Sequence, residues 1–289
     1  MRVEQLQEGV LCSLKMGRWD ASIRMDKKKL GKDVPKDIVR AMQDLVEDRT
    51  LLKDMSTIRR MAKGLLQRNS VPFPIDGIFF VPKDKVTMLD EKFAEFKIES
   101  ATRLKKMLKK LPDLKNDFKK KYPDYYNESN YPKPAELEEK FYFNWQFFNL
   151  GLPDKDSGIL DPKVYKREQE KFRGMVAQME QMTIDMVANM LFRRVKKLSG
   201  QCESGKINAG TFNSVDRFLK RWDDIWKDHV DEKKMTIIMA QMKREIKKSS
   251  VERLKGNEDF RTKMNKHLES TMEKIKAIPN FTLKRKLDI

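Results

Sequence analysis

The segment that best matches a nucleotide-binding motif spans residues 200–206. It reads Gly-Gln-Cys-Glu-Ser-Gly-Lys and fits the first seven positions of a phosphate-binding loop, whose amides and lysine would hold phosphates. The eighth position is Ile207, where a Ser or Thr hydroxyl should bind magnesium, and a helical pattern rather than a strand precedes the loop. An ordinary loop between two helices is therefore the favoured interpretation.

A second segment combines carboxylates with a lysine. Pro123-Asp124 and the later Glu138-Glu139-Lys140 follow the spacing of a metal-dependent nuclease core, in which carboxylates bind magnesium beside a lysine. The pattern is short and common, and prolines interrupt it. The two histidines, His229 and His267, stand on separate predicted helices without a Cys or His cluster, which favours neither a general base nor a zinc site. We therefore expect no enzymatic activity, no cofactor and no metal.

The chemistry that the sequence favours is attraction of anions. Lys and Arg number 62 against 44 Asp and Glu, which gives a net charge of +18. Basic side chains displace counterions from nucleic acid and attract acidic surfaces in general. One basic run lies on a predicted helix and another in the C-terminal tail, although such a run can also be a solvated helix face that binds nothing. The candidate nucleic-acid-binding residues are Arg103, Lys105, Lys106, Lys109, Lys110, Lys119, Lys120, Lys121, Lys284, Arg285 and Lys286.

An aromatic segment offers a second kind of contact. Residues 141–148 read Phe-Tyr-Phe-Asn-Trp-Gln-Phe-Phe, and their alternation predicts a strand. The row Phe143, Trp145 and Phe147 could contact a partner protein, or could stack nucleic-acid bases beside the basic run. The alternative is that one aromatic row belongs to the core and binds nothing.

A long helix over Lys163 to Ser199 is the element predicted to organise the fold. Its apolar residues recur at steps of three and four, which places them on one helical face. At about 1.5 Å per residue it would run roughly 50 Å, so it needs long partners to cover its apolar stripe. The same periodicity predicts helices from Pro35 to about Asn69, over 83–111, from Thr211 past His229, over 234–248, and from Asn257 to Pro279.

The strands are predicted to be few and short. Alternation from Val10 to Met25 indicates a β-hairpin with its turn at Gly17-Arg18, and Ile78 to Val81 is a further candidate strand. The predicted fold is mainly α: a long antiparallel helical bundle or coiled-coil hairpin with a small antiparallel β element at one end. Its parts would be residues 1–162 and 163–289, joined as one continuous elongated unit.

The remaining composition indicates the compartment. Hydrophobic residues make up 39% of the chain, which is low but adequate for an elongated helical core. Cys12 and Cys202 lie far apart and form no metal-binding or CxxC spacing, so a reducing compartment is the simpler interpretation. No apolar run reaches the length of a signal peptide or a membrane span, and we expect a cytoplasmic protein of a bacterial host cell.

Five short segments in a fixed order carry a family resemblance. They are Met16-Gly17-Arg18, Ile58 to Lys63, Val71 to Pro82, Phe118 to Tyr122 and Phe141 to Phe148. Across residues 10 to 230 this order resembles an uncharacterised family of helical proteins from bacteria and phages. The resemblance implies that the family has no assigned enzymatic activity and no catalytic residues to transfer to this chain.

The resemblance also implies a partner. Such proteins tend to be encoded beside MoxR-like or cobaltochelatase-like ring ATPases and von Willebrand A-type proteins. The first expected function is therefore a non-enzymatic adaptor or scaffold that docks with a MoxR-like AAA+ ATPase system. Nucleic-acid binding through the basic helical face and the C-terminal tail is the alternative, and a nuclease is the weakest of the three.

Overall fold

The computed structural model describes residues 8–25, 41–151, 159–230, 232–279 and 281 of the 289-residue chain. About 70% of it is helical, and the mainly α class with a small antiparallel sheet is confirmed. The strands are β1 (Gly9–Met16), β2 (Ser22–Arg24), β3 (Met42–Asp44), β4 (Val71–Pro72), β5 (Ile78–Pro82) and β6 (Phe143–Phe148). The α-helices are α1 (Thr50–Arg68), α2 (Lys83–Lys121), α3 (Pro134–Lys140), α4 (Pro162–Ser204), α5 (Ala209–Arg221), α6 (Lys233–Lys247), α7 (Val251–Gly256) and α8 (Glu258–Lys276).

The chain packs as two compact units, each built from separated segments. The first unit combines Met1–Leu11, Gln67–Lys85 and Phe148–Ile289, and the second combines Cys12–Leu66 with Val86–Phe147. The boundary expected at residue 162 lies inside one segment of the first unit. Each unit has its own hydrophobic core.

The first unit is built around α4. The Asp161 carboxylate accepts a hydrogen bond from the Lys163 amide at 2.8 Å, and Gly205 at φ 70° ends the helix in the left-handed conformation. The helix has 43 residues and packs against α5 and α8. Residues 200–204, predicted to be a loop, are therefore helical. Their amides follow the helix, so the segment at residues 200–206 is no phosphate-binding loop.

A wide helical turn follows α5 in the same unit. Trp222–Trp226 form a π-helix, in which the Lys227 amide donates to the carbonyl oxygen of Trp222. Both tryptophans are buried, at 1% and 0% exposure. The Trp226 indole donates to the Ser70 carbonyl oxygen at 3.1 Å. The turn therefore places two large rings in the core.

The second unit packs the part of α2 that begins at Val86 against α1 and α3. Leu104, Met107 and Leu111 share a core with residues of α1, α3 and the preceding loop. Helix α2 was predicted to end at Leu111, and this is wrong, because it continues through Pro112 to Lys121. A proline removes one backbone N–H but does not end a helix that packs on both sides of it.

The predicted hairpin from Val10 to Met25 is wrong in its pairing. Strand β1 belongs to a four-stranded sheet of order β4-β5-β1-β6, whereas β2 pairs with β3, with Ser22 opposite Asp44. The Gly17 amide donates to the Tyr142 carbonyl oxygen at 2.9 Å. A methyl group at Gly17 would overlap the carbonyl oxygen of Lys140 and the ring of Tyr142. Gly17 thus permits a close approach of two chain segments instead of a tight turn.

The helix predicted from Pro35 begins later than expected. Residues 26–40 lie outside the described residues, Met42–Asp44 form β3, and α1 begins at Thr50. The Asp48 carboxylate accepts a hydrogen bond from the Thr50 amide at 2.8 Å and so caps the first turn. The strand predicted over Ile78 to Val81 is confirmed as β5. No helix in the described ranges is long and apolar enough to cross a membrane.

Candidate nucleic-acid interface

The outer face of α2 presents a row of lysines that we call the lysine face. The inner face carries the buried residues Leu104, Met107 and Leu111, and helical geometry places the intervening positions outside. The lysine face consists of Lys105, Lys106, Lys109, Lys110 and Lys120. All five side chains are exposed. Within the described ranges none of them forms an ion pair or a hydrogen bond.

Acidic side chains neutralise little of the lysine face. The run contains Asp113 and Asp117, and neither forms an ion pair with a lysine in the described part of the chain. Hydrogen bonds from Thr50 lower the pKa of Asp48, and the positive charges of Lys110 and Lys53 lower it further. Lys110 thus acts on a carboxylate outside α2, and helical spacing places Asp113 one turn from Lys109 and Asp117 one turn from Lys120.

The row has the dimensions of a short stretch of nucleic-acid backbone. Lys105 and Lys120 are fifteen residues apart, which corresponds to about 22 Å along a helix. Phosphates of one DNA strand recur about every 3.4 Å along the duplex axis, so this length spans about six of them. Lysine side chains are flexible point charges and can follow phosphates without a fixed register.

Two other basic residues predicted for this interface are engaged within the protein. Arg103 pairs with Glu99 and donates to the Asp54 carbonyl oxygen at 2.9 Å. Lys121 pairs with Glu47, whose hydrogen bond raises the lysine pKa. These two side chains already have partners within the protein and are therefore less available to an anion than the lysine face.

Three tyrosines near the end of α2 were missed in the sequence. The ammonium of Lys119 lies 5.3 Å from the centre of the Tyr126 ring, and that of Lys121 lies 5.5 Å from Tyr122. Lys115 lies 5.1 Å from Tyr131 and pairs with Glu128. A Tyr-rich segment directly after a Lys-rich helix end was the available signal. These three ammonium groups lie over aromatic rings, whereas the members of the lysine face have no such contact in the described ranges.

The aromatic strand β6 is more engaged than its sequence suggests. Phe143 is buried at 5% exposure, and its ring centre lies 6.4 Å from that of Phe93. The half-buried Trp145 donates from its indole to Asp90 at 2.7 Å, and the Lys97 ammonium lies 5.7 Å from its ring. Phe143 is a core residue, as the alternative interpretation of the alternation held, and offers no surface to a partner. Trp145 and the half-buried Phe147 retain partial exposure.

A comparison with protein families identifies the family to which the chain belongs. A family model described as "Protein of unknown function (DUF3150)" matches residues 6–197, which is more than half of the sequence. The chain belongs to this family. The DUF3150 match includes the lysine face, β6 and most of α4. No curated protein and no solved structure matches the chain.

The DUF3150 match confirms the resemblance to an uncharacterised family. It does not link the chain to MoxR-like ATPases or to von Willebrand A-type proteins, and that partnership remains a proposal. The matched region ends before α5, so the family model does not extend to the later helices or to the C-terminal tail. Lys284, Arg285 and Lys286 of that tail lie outside the described residues.

The described part of this DUF3150 protein contains no metal site of the kind that a metal-dependent nuclease needs. No three His, Cys, Asp or Glu side chains there are grouped to hold a metal ion. Asp124 lies in a 3₁₀ turn, whereas Glu138 and Glu139 lie on α3. Buried His229 has its pKa lowered chiefly by desolvation, and exposed His267 has its Nε2 3.8 Å from a Glu245 oxygen. The two histidines belong to different surroundings and share no reacting group.

Proposed function

We propose that this DUF3150 protein is a non-enzymatic nucleic-acid-binding protein that holds a phosphate backbone against the lysine face. The observation that carries the proposal is the set of five exposed lysines on α2 without an ion pair in the described ranges. The net charge of +18 has the same sign and would attract a polyanion from a distance. Lys284, Arg285 and Lys286 would add contacts in the same way.

The arrangement favours contact with phosphates over reading of bases. Lys105 and Lys109 lie one helical turn apart, as do Lys106 and Lys110, and like charges at this spacing slightly destabilise a helix. A bound phosphate would relieve this repulsion and release counterions. The lysine face has no arginine, the residue that most often reads guanine with two parallel hydrogen bonds. Binding would therefore depend on salt and hardly on sequence.

A mobility-shift experiment tests the proposal directly. The native protein should retard generic DNA and RNA at low salt, and substituting Glu for Lys105, Lys106, Lys109 and Lys110 should abolish the shift while circular dichroism shows an unchanged fold. The matched control carries four Lys→Glu changes at exposed positions of the first unit, which also lack an ion pair in the described ranges: Lys247, Lys255, Lys263 and Lys266. If the native protein shifts no nucleic acid at low salt, the proposal is wrong.

A second function, a protein adaptor, is favoured by the position of β6. In the described four-stranded sheet β6 is an edge strand, and an edge strand has unpaired backbone groups to which a partner strand can add. The half-buried Trp145 and Phe147 on this strand would supply side-chain contacts. The partner would be a MoxR-like ring ATPase or a von Willebrand A-type protein, as the family resemblance implies. Long helices packed as an antiparallel bundle or coiled-coil hairpin would then act as a rigid support.

Binding measurements with the purified ring ATPase of the native host test the adaptor proposal. The native chain should bind it, and the double variant Trp145→Ser with Phe147→Ser should weaken binding at least tenfold without loss of helical signal. Ile98→Ser is the control, because Ile98 is a 70% exposed apolar residue on α2 and not on the sheet edge. Absence of binding in both the ATP and the ADP state would reject this partner.

A further inference from the structure

Four arginines of the first unit lie close enough for their charges to act on one another. Arg194 lies on α4, Arg217 and Arg221 lie one turn apart on α5, and Arg68 is the last residue of α1. The charges of the other three act on Arg194, and no acidic side chain in the described ranges forms an ion pair with any of them. We call this group the arginine cluster.

Arg194 is the most constrained member of the arginine cluster. One of its terminal nitrogens, Nη1, donates to the Met190 carbonyl oxygen at 2.8 Å, and the guanidinium carbon lies 4.9 Å from the centre of the Phe218 ring. Its Nε is buried and has no hydrogen-bond partner among the described residues. A buried N–H without an acceptor is costly, and native proteins seldom leave one unless a ligand or water satisfies it.

The other members surround Arg194 from two further segments. Arg217 donates from its Nε to the Asn213 carbonyl oxygen at 3.3 Å, and its terminal nitrogens make no hydrogen bond within the described ranges. Half-buried Arg221 follows one turn later on α5. The bond from the Trp226 indole to the Ser70 carbonyl oxygen holds the chain after Arg68 against the segment that follows α5. The fold thus fixes the cluster through backbone contacts while its charges repel one another.

Burial makes this repulsion more costly. Desolvation lowers the pKa of Arg68 and Arg221, and it lowers the pKa of Arg194 to about 10, with the neighbouring arginines contributing further. Uncompensated positive charges in a partly desolvated place favour an anion that neutralises them. This matches the pattern of a ligand site more closely than that of a solvated surface.

We propose that the arginine cluster binds the phosphate group of a small anion, with half-buried Arg194 as its anchor. A guanidinium donates two parallel hydrogen bonds to an oxyanion, and a phosphate monoester has enough charge and oxygen atoms to engage several guanidinium groups. A carboxylate carries one charge and two oxygens and would leave most of the cluster unpaired. The site is independent of the lysine face, which lies in the other unit and lacks arginine.

Titration calorimetry with inorganic phosphate and with pyrophosphate tests this site on the full-length protein. The native chain should show one saturable event, and Arg217→Gln and Arg221→Gln should each weaken it at least tenfold. Exposed Arg217 serves as the safe substitution in case Arg194→Gln disturbs folding. Lys220→Gln is the matched control, because Lys220 lies on the same helix and pairs with Asp216 at 2.9 Å.

Each result decides for or against the site. If the arginines had a purely structural role, the Arg217 and Arg221 variants would melt at a different temperature from the native chain, but added phosphate would raise the melting temperature of all three proteins equally. This outcome would overturn the proposal. It would also be overturned if the native chain gave no saturable heat with either anion, or if the variants lost binding to DNA but retained binding to pyrophosphate. Loss of phosphate binding with unchanged DNA binding would support it and would leave the lysine face to be judged separately.

Discussion

Neutralising four lysines of the lysine face should change the salt dependence of nucleic-acid binding by a predictable amount. The perturbation is the simultaneous substitution of Gln for Lys105, Lys106, Lys109 and Lys110. On duplex DNA each phosphate contact contributes about 0.9 to the slope of log K against log salt, so four contacts contribute about 3.6. A slope of about 3.6 corresponds to roughly 150-fold weaker binding between 50 and 200 mM salt. The variant should lose most of this dependence and bind more weakly at every salt concentration.

Fluorescence anisotropy of a labelled duplex, titrated at several salt concentrations, measures this slope. The four side chains are exposed and have no ion pair in the described ranges, so their removal should change the free energy of unfolding by no more than about 0.5 kcal/mol. Urea unfolding of the variant checks that its loss of affinity does not come from loss of fold. A folded variant with the native slope would refute the reasoning.

A control variant distinguishes the effect of the lysine face on binding from the effect of the overall charge. Gln in place of Lys247, Lys255, Lys263 and Lys266 removes the same number of charges from exposed positions in the other unit. This control should keep the native slope, because only lysines that contact phosphates release counterions on binding. Equal losses in both variants would mean that the net charge, and not the row on α2, determines binding.

The other predictions concern the fold. Gly174→Ala should stabilise the protein by about 0.5–1 kcal/mol, because glycine weakens a helix interior and a methyl group there meets open space. Gly17→Ala should destabilise it, since the methyl group would overlap Lys140 and Tyr142, and urea unfolding of both variants shows whether the signs differ. Burial raises the pKa of the Cys12 and Cys202 thiols to about 12 and about 11, so a thiol reagent at pH 8 should react slowly with native protein and quickly in urea. Rapid labelling of the native protein would contradict the burial of the two thiols. Because folding raises both pKa values, the contribution of the two thiols to the free energy of unfolding should be complete below about pH 9 and should fall as the pH rises toward 11.

The sequence predicted the elements whose cause is local. The apolar stripe of α4 and the β-branched and aromatic run of β5 are patterns that a single face of a helix or a strand imposes. Pairing depends on distant residues, and there the prediction failed. Alternation on both sides of Gly17 predicted one hairpin, whereas β1 belongs to the four-stranded sheet and β2 pairs with β3. The same holds for Met42–Asp44, where helical periodicity continued upstream but pairing with β2 made a strand.

The candidate site was predicted to a similar extent. The lysine face could be recognised because its members are neighbours on one helix. The internal role of Lys121 could not, because its partner Glu47 is 74 residues away. The arginine cluster is spread over three helices, from Arg68 to Arg221, and no short window of the sequence contains it. Such constellations become visible only when packing brings the segments together.

The π-helix at Trp222–Trp226 makes one place in this protein tolerant of a change in length. Its hydrogen bond spans five residues instead of four, so the wide turn holds one residue more than an α-helical turn does. Trp222 and Trp226 lie in the core, whereas Asp223 and Asp224 between them are exposed. Deleting one of these aspartates would return the turn to α-helical hydrogen bonding, whereas a deletion inside α5 would rotate every later residue of the helix by about 100° around its axis. A one-residue deletion at this turn should therefore be less damaging than the same deletion inside α5.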